Sequence, residues 1–163
     1  MTPISFRAAV LGLALGALGC QTAYNNAYNK QYGEMEQQQQ QQQAMEGAAH
    51  AEAQRYAAVV YFATGSTALD ADAQQQLNWF AQKMAPYPQA TFDVQGFADS
   101  TGAELTNQML SGERAQACAS YLSSLGISPP RMQVRAFSTS SPAASNASVQ
   151  GRKNNRRVEI TVR

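Results

Sequence analysis

The chain has 163 residues, 44% of them apolar and 9% aromatic, and its formal net charge is +1. That near-neutral balance excludes the bulk electrostatics of a nucleic-acid binder. About 110 residues remain after an apolar start and a polar stretch, which suits one modest core and one domain.

Arg7 is the only early charge, and the apolar run "AAVLGLALGALGC", residues 8–20, follows it. The run is too short to span a bilayer as a stable helix. A basic start, a short apolar core and small residues at its end read as a secretory signal over residues 1–19. Ala17, Leu18, Gly19 and Cys20 resemble the bacterial lipobox, in which the cysteine is diacylated and becomes the mature N-terminus; Ala17 stands where leucine is usual. A plain secretory signal cut nearby, or an N-terminal membrane helix, is the other reading. Acyl chains on Cys20 would hold the protein on a membrane. Among such lipoproteins Gln21, in place of an aspartate, points to the outer membrane.

Residues 20–54 are a different material. Seven consecutive glutamines, Gln37 to Gln43, stand among Asn, Ala and Glu, with almost no large aliphatic residue. Such a stretch buries too little apolar surface to offset ordering entropy and reads as a tether. Gln, Glu, Ala and Met favour helix from Glu34 onward. The tether reaches roughly 110 Å extended or roughly 50 Å as helix. His50, the single histidine, lies in it.

From residue 55 the hydrophobic period changes. "AAVVYFA", 57–63, reads as a strand with Val60 and Phe62 on one face. Asp70 is a candidate N-cap for a helix to Met84. Its apolar stripe is Ala73, Leu77, Phe80, Ala81 and Met84, with Trp79 at its edge and Pro86 and Pro88 closing it. "ATFDVQGF", 90–97, is a second strand. A second helix covers 104–124 and stops at Gly126; Leu110, Cys118, Tyr121, Leu122 and Leu125 share one of its faces, which makes Cys118 a core residue. "RMQVRAF", 131–137, and "RVEITVR", 157–163, are two further strands. The order β-α-β-α-β-β predicts a two-layer α/β sandwich with both helices on one sheet face, occupying residues 55–163.

Asp99 follows the second strand in the glycine-bounded loop "GFADSTG", where strand ends collect ligand groups. Its other reading is a turn aspartate bonding its own backbone. Arg114 lies in the second helix; to meet Asp99, either the loop folds back over the helix or the helix restarts near Ser111-Gly112, with Ser111 as a candidate second N-cap. No histidine, Cys-His pair or G-x-S-x-G elbow lies in residues 55–163, so the chain does not read as an enzyme, and no cofactor or metal is expected. Asp70 and Asp72 read as helix-start charges.

Spaced residues carry a resemblance. They are Gly96, Asp99, Thr101-Gly102, Asn107, Leu110-Ser111 and Arg114-Ala115, then "GRKNNRRVE", Gly151 to Glu159, with Phe62 and Ser66-x-x-Leu69 upstream. Together they resemble the OmpA-like peptidoglycan-binding domain over about residues 57–163, and the lipobox and tether before it resemble the Pal-type lipoprotein arrangement. The resemblance implies an outer-membrane lipoprotein, facing the periplasm, that binds peptidoglycan non-covalently and has no enzymatic activity. It implies contact with the diaminopimelate of the stem peptide, Asp99 taking the ammonium and Arg114 the carboxylate, with Thr101, Asn107, Phe62 and Arg157 around them. A hub for Tol-type periplasmic proteins is the implied alternative. The chain departs from the family at Ala63, Phe97 and Ala98, and in "AFSTSSP", 136–142, where related domains carry a glycine-rich turn.

Overall fold

The computed structural model describes residues 18–163, without the side chains of residues 18–20, 22 and 23. The candidate signal segment therefore lies outside the described residues up to residue 17, as does the side chain of the lipidation candidate Cys20. Among the described residues, no helix is long and apolar enough to cross a membrane.

The expected tether is helical throughout: α1 runs Leu18–Ala53, beginning well before Glu34. The chain divides into two units, one up to Ala44 and one from Met45 to Arg163. In the first, Tyr24, Tyr28 and Tyr32 repeat every four residues, their ring centroids 6.2 and 4.1 Å apart, and Lys30 and Glu34 form an i, i+4 pair. All of these side chains are exposed, so local propensity rather than a core orders this stretch.

The second unit contains the end of α1, β1 (Ala57–Tyr61), α2 (Ala71–Met84), β2 (Phe92–Gly96), α3 (Glu104–Ser124), β3 (Met132–Ala136), α4 (Val149–Asn155) and β4 (Arg157–Val162). The sheet order is β1-β4-β2-β3. β4 is antiparallel to both neighbours, and β3 is parallel to β2 through the α3 crossover. The helices α2 and α3 cover one face, as expected. Ala58, Val60, Phe92, Val94, Val158 and Ile160 point into that layer and are buried with Leu77, Phe80, Cys118 and Leu122. Alternate residues point to the open face, where Val59 and Tyr61 are 37% and 48% exposed.

Local chemistry explains the element ends. Asp70 caps α2 by accepting the Ala73 N–H at 2.8 Å. α3 ends where Gly126 turns with φ of 95°, a conformation glycine adopts without steric cost. Two expectations need correction. Leu125 is exposed, because it is the C-cap of α3 and its face has already left the core. Ser111 starts no new helix: α3 is unbroken, and the Ser111 hydroxyl donates to the Gln108 carbonyl at 3.0 Å. Ala53, at the end of α1, has no exposure and belongs to the core cluster.

Candidate functional site

β2 and α3 place the site together. A Cβ on Gly96 would lie 1.9 Å from the Ser111 carbonyl oxygen, so α3 packs directly on the end of β2. One turn beyond Ser111, Arg114 lands beside Phe97 and the loop that carries Asp99. No helix restart is needed; the close packing at Gly96 brings the two residues together. Asn107 and Arg114, two turns apart, share the buried side of α3.

Asp99 is 5% exposed, and both its oxygens are engaged. Oδ1 accepts the Thr101 N–H at 2.8 Å, so the turn reading is met. Oδ2 accepts from Nη1 of Arg156, also at 2.8 Å. Burial alone would raise this carboxyl, but the bonds from Arg156 and Thr101 outweigh it, and it is held below the ordinary aspartate value. A carboxylate oxygen has two acceptor sites, so Asp99 retains capacity for a further donor.

Arg114 has no exposure. Its Nε donates to Ser66 O at 2.9 Å, Nη2 to Ala63 O at 3.0 Å and Nη1 to Phe97 O at 3.4 Å. Its guanidinium lies 5.3 Å from the Phe62 ring centroid, a cation–π distance. Burial, then the neighbouring Arg156, pushes its pKa down to about 10, against a raising influence from Asp99, so it is cationic at neutral pH. Three of its five N–H groups are thus spent on the main chain, and it is a structural pin as well as a charge.

Asp99, Thr101, Asn107, Arg114 and Arg156 line a cavity of about 140 Å³ together with Thr64 and Gly65. Asn107 is buried and makes no side-chain hydrogen bond to any described residue, so its amide is available to whatever enters. Phe62 backs the site through Arg114 and through its carbonyl, which accepts from Arg156 Nε at 3.1 Å.

Arg157 is not part of this cluster. Its guanidinium stacks 3.9 Å from the centroid of Phe97, which itself stacks on Phe137, and its Nε pairs with Glu159 at 2.6 Å. The arginine that reaches Asp99 is Arg156. Strand alternation carried the signal: Arg156 has the parity of Val158 and Ile160, which face the helices, whereas Arg157 shares the open face with Glu159. The buried Asn155 precedes Arg156 and holds the adjoining loop, accepting from Ala144 N and donating to Ala144 O and Asn146 Oδ1 at 2.8–2.9 Å.

Cys118 is fully buried and its thiol is pushed up to about 12, which makes it an inert core residue. The arrangement is thus a small cleft, its open surface mainly apolar, whose lining includes one fixed anion, Asp99, and two fixed cations, Arg114 and Arg156, on a two-layer α/β domain.

A family model described as the OmpA family matches residues 61–156. The chain belongs to the OmpA family. It is 35% identical over 103 residues to the "Probable lipoprotein YiaD" of Escherichia coli, covering 63% of this chain and 47% of that protein. It is 38% identical over 98 residues to the "Peptidoglycan-binding protein ArfA" of Mycobacterium bovis, covering 60% of this chain and 30% of that one. The chain thus spans less than half the length of these curated relatives. Among solved structures, the peptidoglycan-associated lipoprotein of Burkholderia pseudomallei superposes with a TM-score of 0.62 at 27% identity, over 65% of this chain and 90% of that one. The C-terminal domain of Helicobacter pylori MotB gives 0.60 at 25%, over 64% and 83%.

Proposed function

We propose that this protein binds peptidoglycan non-covalently, by holding the free end of a diaminopimelate side chain in the Asp99 cleft. That end carries an ammonium and a carboxylate on one carbon, and the cleft offers their complements. Asp99 receives the ammonium through its unused acceptor sites. The carboxylate meets the positive field of Arg114 on the cavity lining and Arg156 at its side, with Asn107 and Thr101 as neutral partners. Each charge-assisted bond contributes about 1.5–3 kcal/mol, so a few give a reversible grip. The observation that carries this reading is the ionised, nearly buried Asp99 opening on a cavity lined by two arginines. The relatives named for peptidoglycan binding or association support it. Binding alone accounts for the site, and the reading assigns no reaction to it.

With acyl chains on Cys20, the same binding would tether the outer membrane to the cell wall from the periplasmic side. Co-sedimentation of the protein with purified peptidoglycan, with free diaminopimelate as competitor, tests the proposal: pelleting that the competitor reverses is expected, and pelleting indifferent to it contradicts the assignment. A second reading, docking of a Tol-type periplasmic protein, draws on the exposed Val59 and Tyr61 of the edge strand β1. Capture of such a partner by wild-type protein, lost on Tyr61→Asp and unchanged by Asp99→Ala, would support it.

A further inference from the structure

The cleft does not stop at Asp99. Thr64, Asp99, Thr101 and Arg156 also line a second, outer chamber of about 440 Å³, whose far side is Ser100, Asn146, Val149 and Arg152. Arg152 comes from α4. Its Nη1 donates to the carbonyls of Asn146 and Ala147 at 2.8 and 3.3 Å. Those carbonyls belong to the loop that Asn155 clamps, and Asn146 Oδ1 in turn accepts the Ser100 N–H at 3.2 Å. The guanidinium is therefore fixed at one nitrogen, while its Nε and Nη2 have no partner among the described residues. A pinned arginine with unused donors loses little conformational entropy on meeting an anion.

The charges point the same way. Among the described residues, Arg114, Arg152 and Arg156 line the two chambers against the single carboxylate of Asp99, which Arg156 already pairs. A ligand end with one ammonium and one carboxylate is neutral and leaves this excess unanswered. A peptidoglycan stem peptide carries further carboxylates, and the nearest along the chain is that of the glutamate linked to the diamino acid.

We propose that the outer chamber is a second subsite, in which Arg152 and Arg156 hold the free glutamate carboxylate of the stem peptide while the inner chamber holds the diaminopimelate end. The inference rests on the peptidoglycan reading and adds to it a selectivity: the chain distinguishes stem peptides with a free glutamate carboxylate from those in which it is amidated.

The test is calorimetric titration of the full chain in detergent with three ligands: free diaminopimelate, a stem tripeptide, and the same tripeptide amidated at glutamate. Wild type is expected to bind the free tripeptide about tenfold more tightly than the amidated one. Arg152→Gln is expected to lose that preference while binding diaminopimelate as wild type does. Equal affinity of wild type for the two tripeptides overturns the subsite, and so does an Arg152→Gln variant that still discriminates. If the variant does not fold, the comparison of the two tripeptides on the unaltered chain decides alone. Asp99→Ala keeps the outcomes apart: retention of all three ligands by that variant contradicts the peptidoglycan reading itself, whereas loss of all three alongside equal tripeptide affinities in wild type contradicts only the outer subsite.

Discussion

At the scale of single residues, the site depends on which side chains are pins and which are free to act. Arg114 is a pin. Replacing it by alanine leaves the carbonyls of Ser66, Ala63 and Phe97 without their donor and opens a void beside Phe62. Arg114→Ala is therefore expected to destabilise the fold by roughly 3 kcal/mol or more, as read by chemical denaturation; an unchanged midpoint would mean that these carbonyls are otherwise satisfied. Asp99 has a lowered carboxyl pKa in the fold. A group depressed on folding contributes stability that is present above its unfolded value, near 4, and is lost as pH falls through the folded value. In thermal melts the advantage of wild type over Asp99→Asn should thus be constant between about pH 5 and 8 and be lost only below about pH 4. An advantage that instead vanished near neutrality would contradict the Arg156 pairing. Ser138 adds a third case. It sits in the stretch where related domains carry a glycine-rich turn, it is buried, and its φ is 49°. Its hydroxyl has no hydrogen-bond partner among the described residues. The left-handed conformation costs a non-glycine residue about 1 kcal/mol. Ser138→Gly should stabilise the protein by about 0.5–1 kcal/mol, a gain visible as a higher melting temperature.

At the scale of elements, close approaches set the geometry. Gly96 admits α3, and a Cβ on Gly151 would lie 1.9 Å from the Ser145 carbonyl oxygen, so glycine there seats α4 against its loop. Gly96→Ala should cost about 1–3 kcal/mol through forced backbone displacement, and should weaken ligand binding as well, because α3 carries Asn107 and Arg114. Stability loss with unaltered affinity would show that the cleft tolerates a shift of α3. The elements also show what a sequence exposes. α2 and α3 were legible because each buries a periodic stripe and has recognisable ends, at Asp70 and Gly126. The strands were legible through alternation, except that β3 is largely exposed along its length. α4 was not legible: its buried residues are only Gly151 and Asn155, so no apolar period marks it. Arg114 drew notice through the spacing it shares with the family, since no local pattern distinguishes a buried arginine from a surface one. Arg156 was concealed by its neighbour Arg157, and only the register of β4 against the helix layer separates the two.

At the scale of the whole molecule, the chain divides into two units, one up to Ala44 and one from Met45. The unit from Met45 contains the complete core cluster, including Ala53. A chain starting at Met45 should melt cooperatively, and one starting at residue 57 should melt lower, because it lacks Ala53 and the Tyr56 ring that packs against Trp79 and Tyr87. Identical melting of the two would show that the end of α1 contributes nothing to the fold. Lipidation belongs to this scale too: intact mass of the membrane-extracted protein should show an acylated chain beginning at Cys20, and an unmodified start elsewhere would remove the anchor from the account.

The central claim is that Asp99 anchors a wall ligand, and the most direct measurement is peptidoglycan binding by Asp99→Ala beside wild type, with folding verified by a cooperative melt. Removing the one carboxylate that lines the inner cleft among the described residues leaves the ligand ammonium facing Arg114 and Arg156, an unpaired charge in a partly desolvated pocket. Asp99→Ala is expected to remain folded, to bind peptidoglycan at least about tenfold more weakly, about 1.4 kcal/mol, and no longer to respond to free diaminopimelate. A folded Asp99→Ala variant that sediments with peptidoglycan as wild type does, and is displaced by diaminopimelate as wild type is, would contradict it.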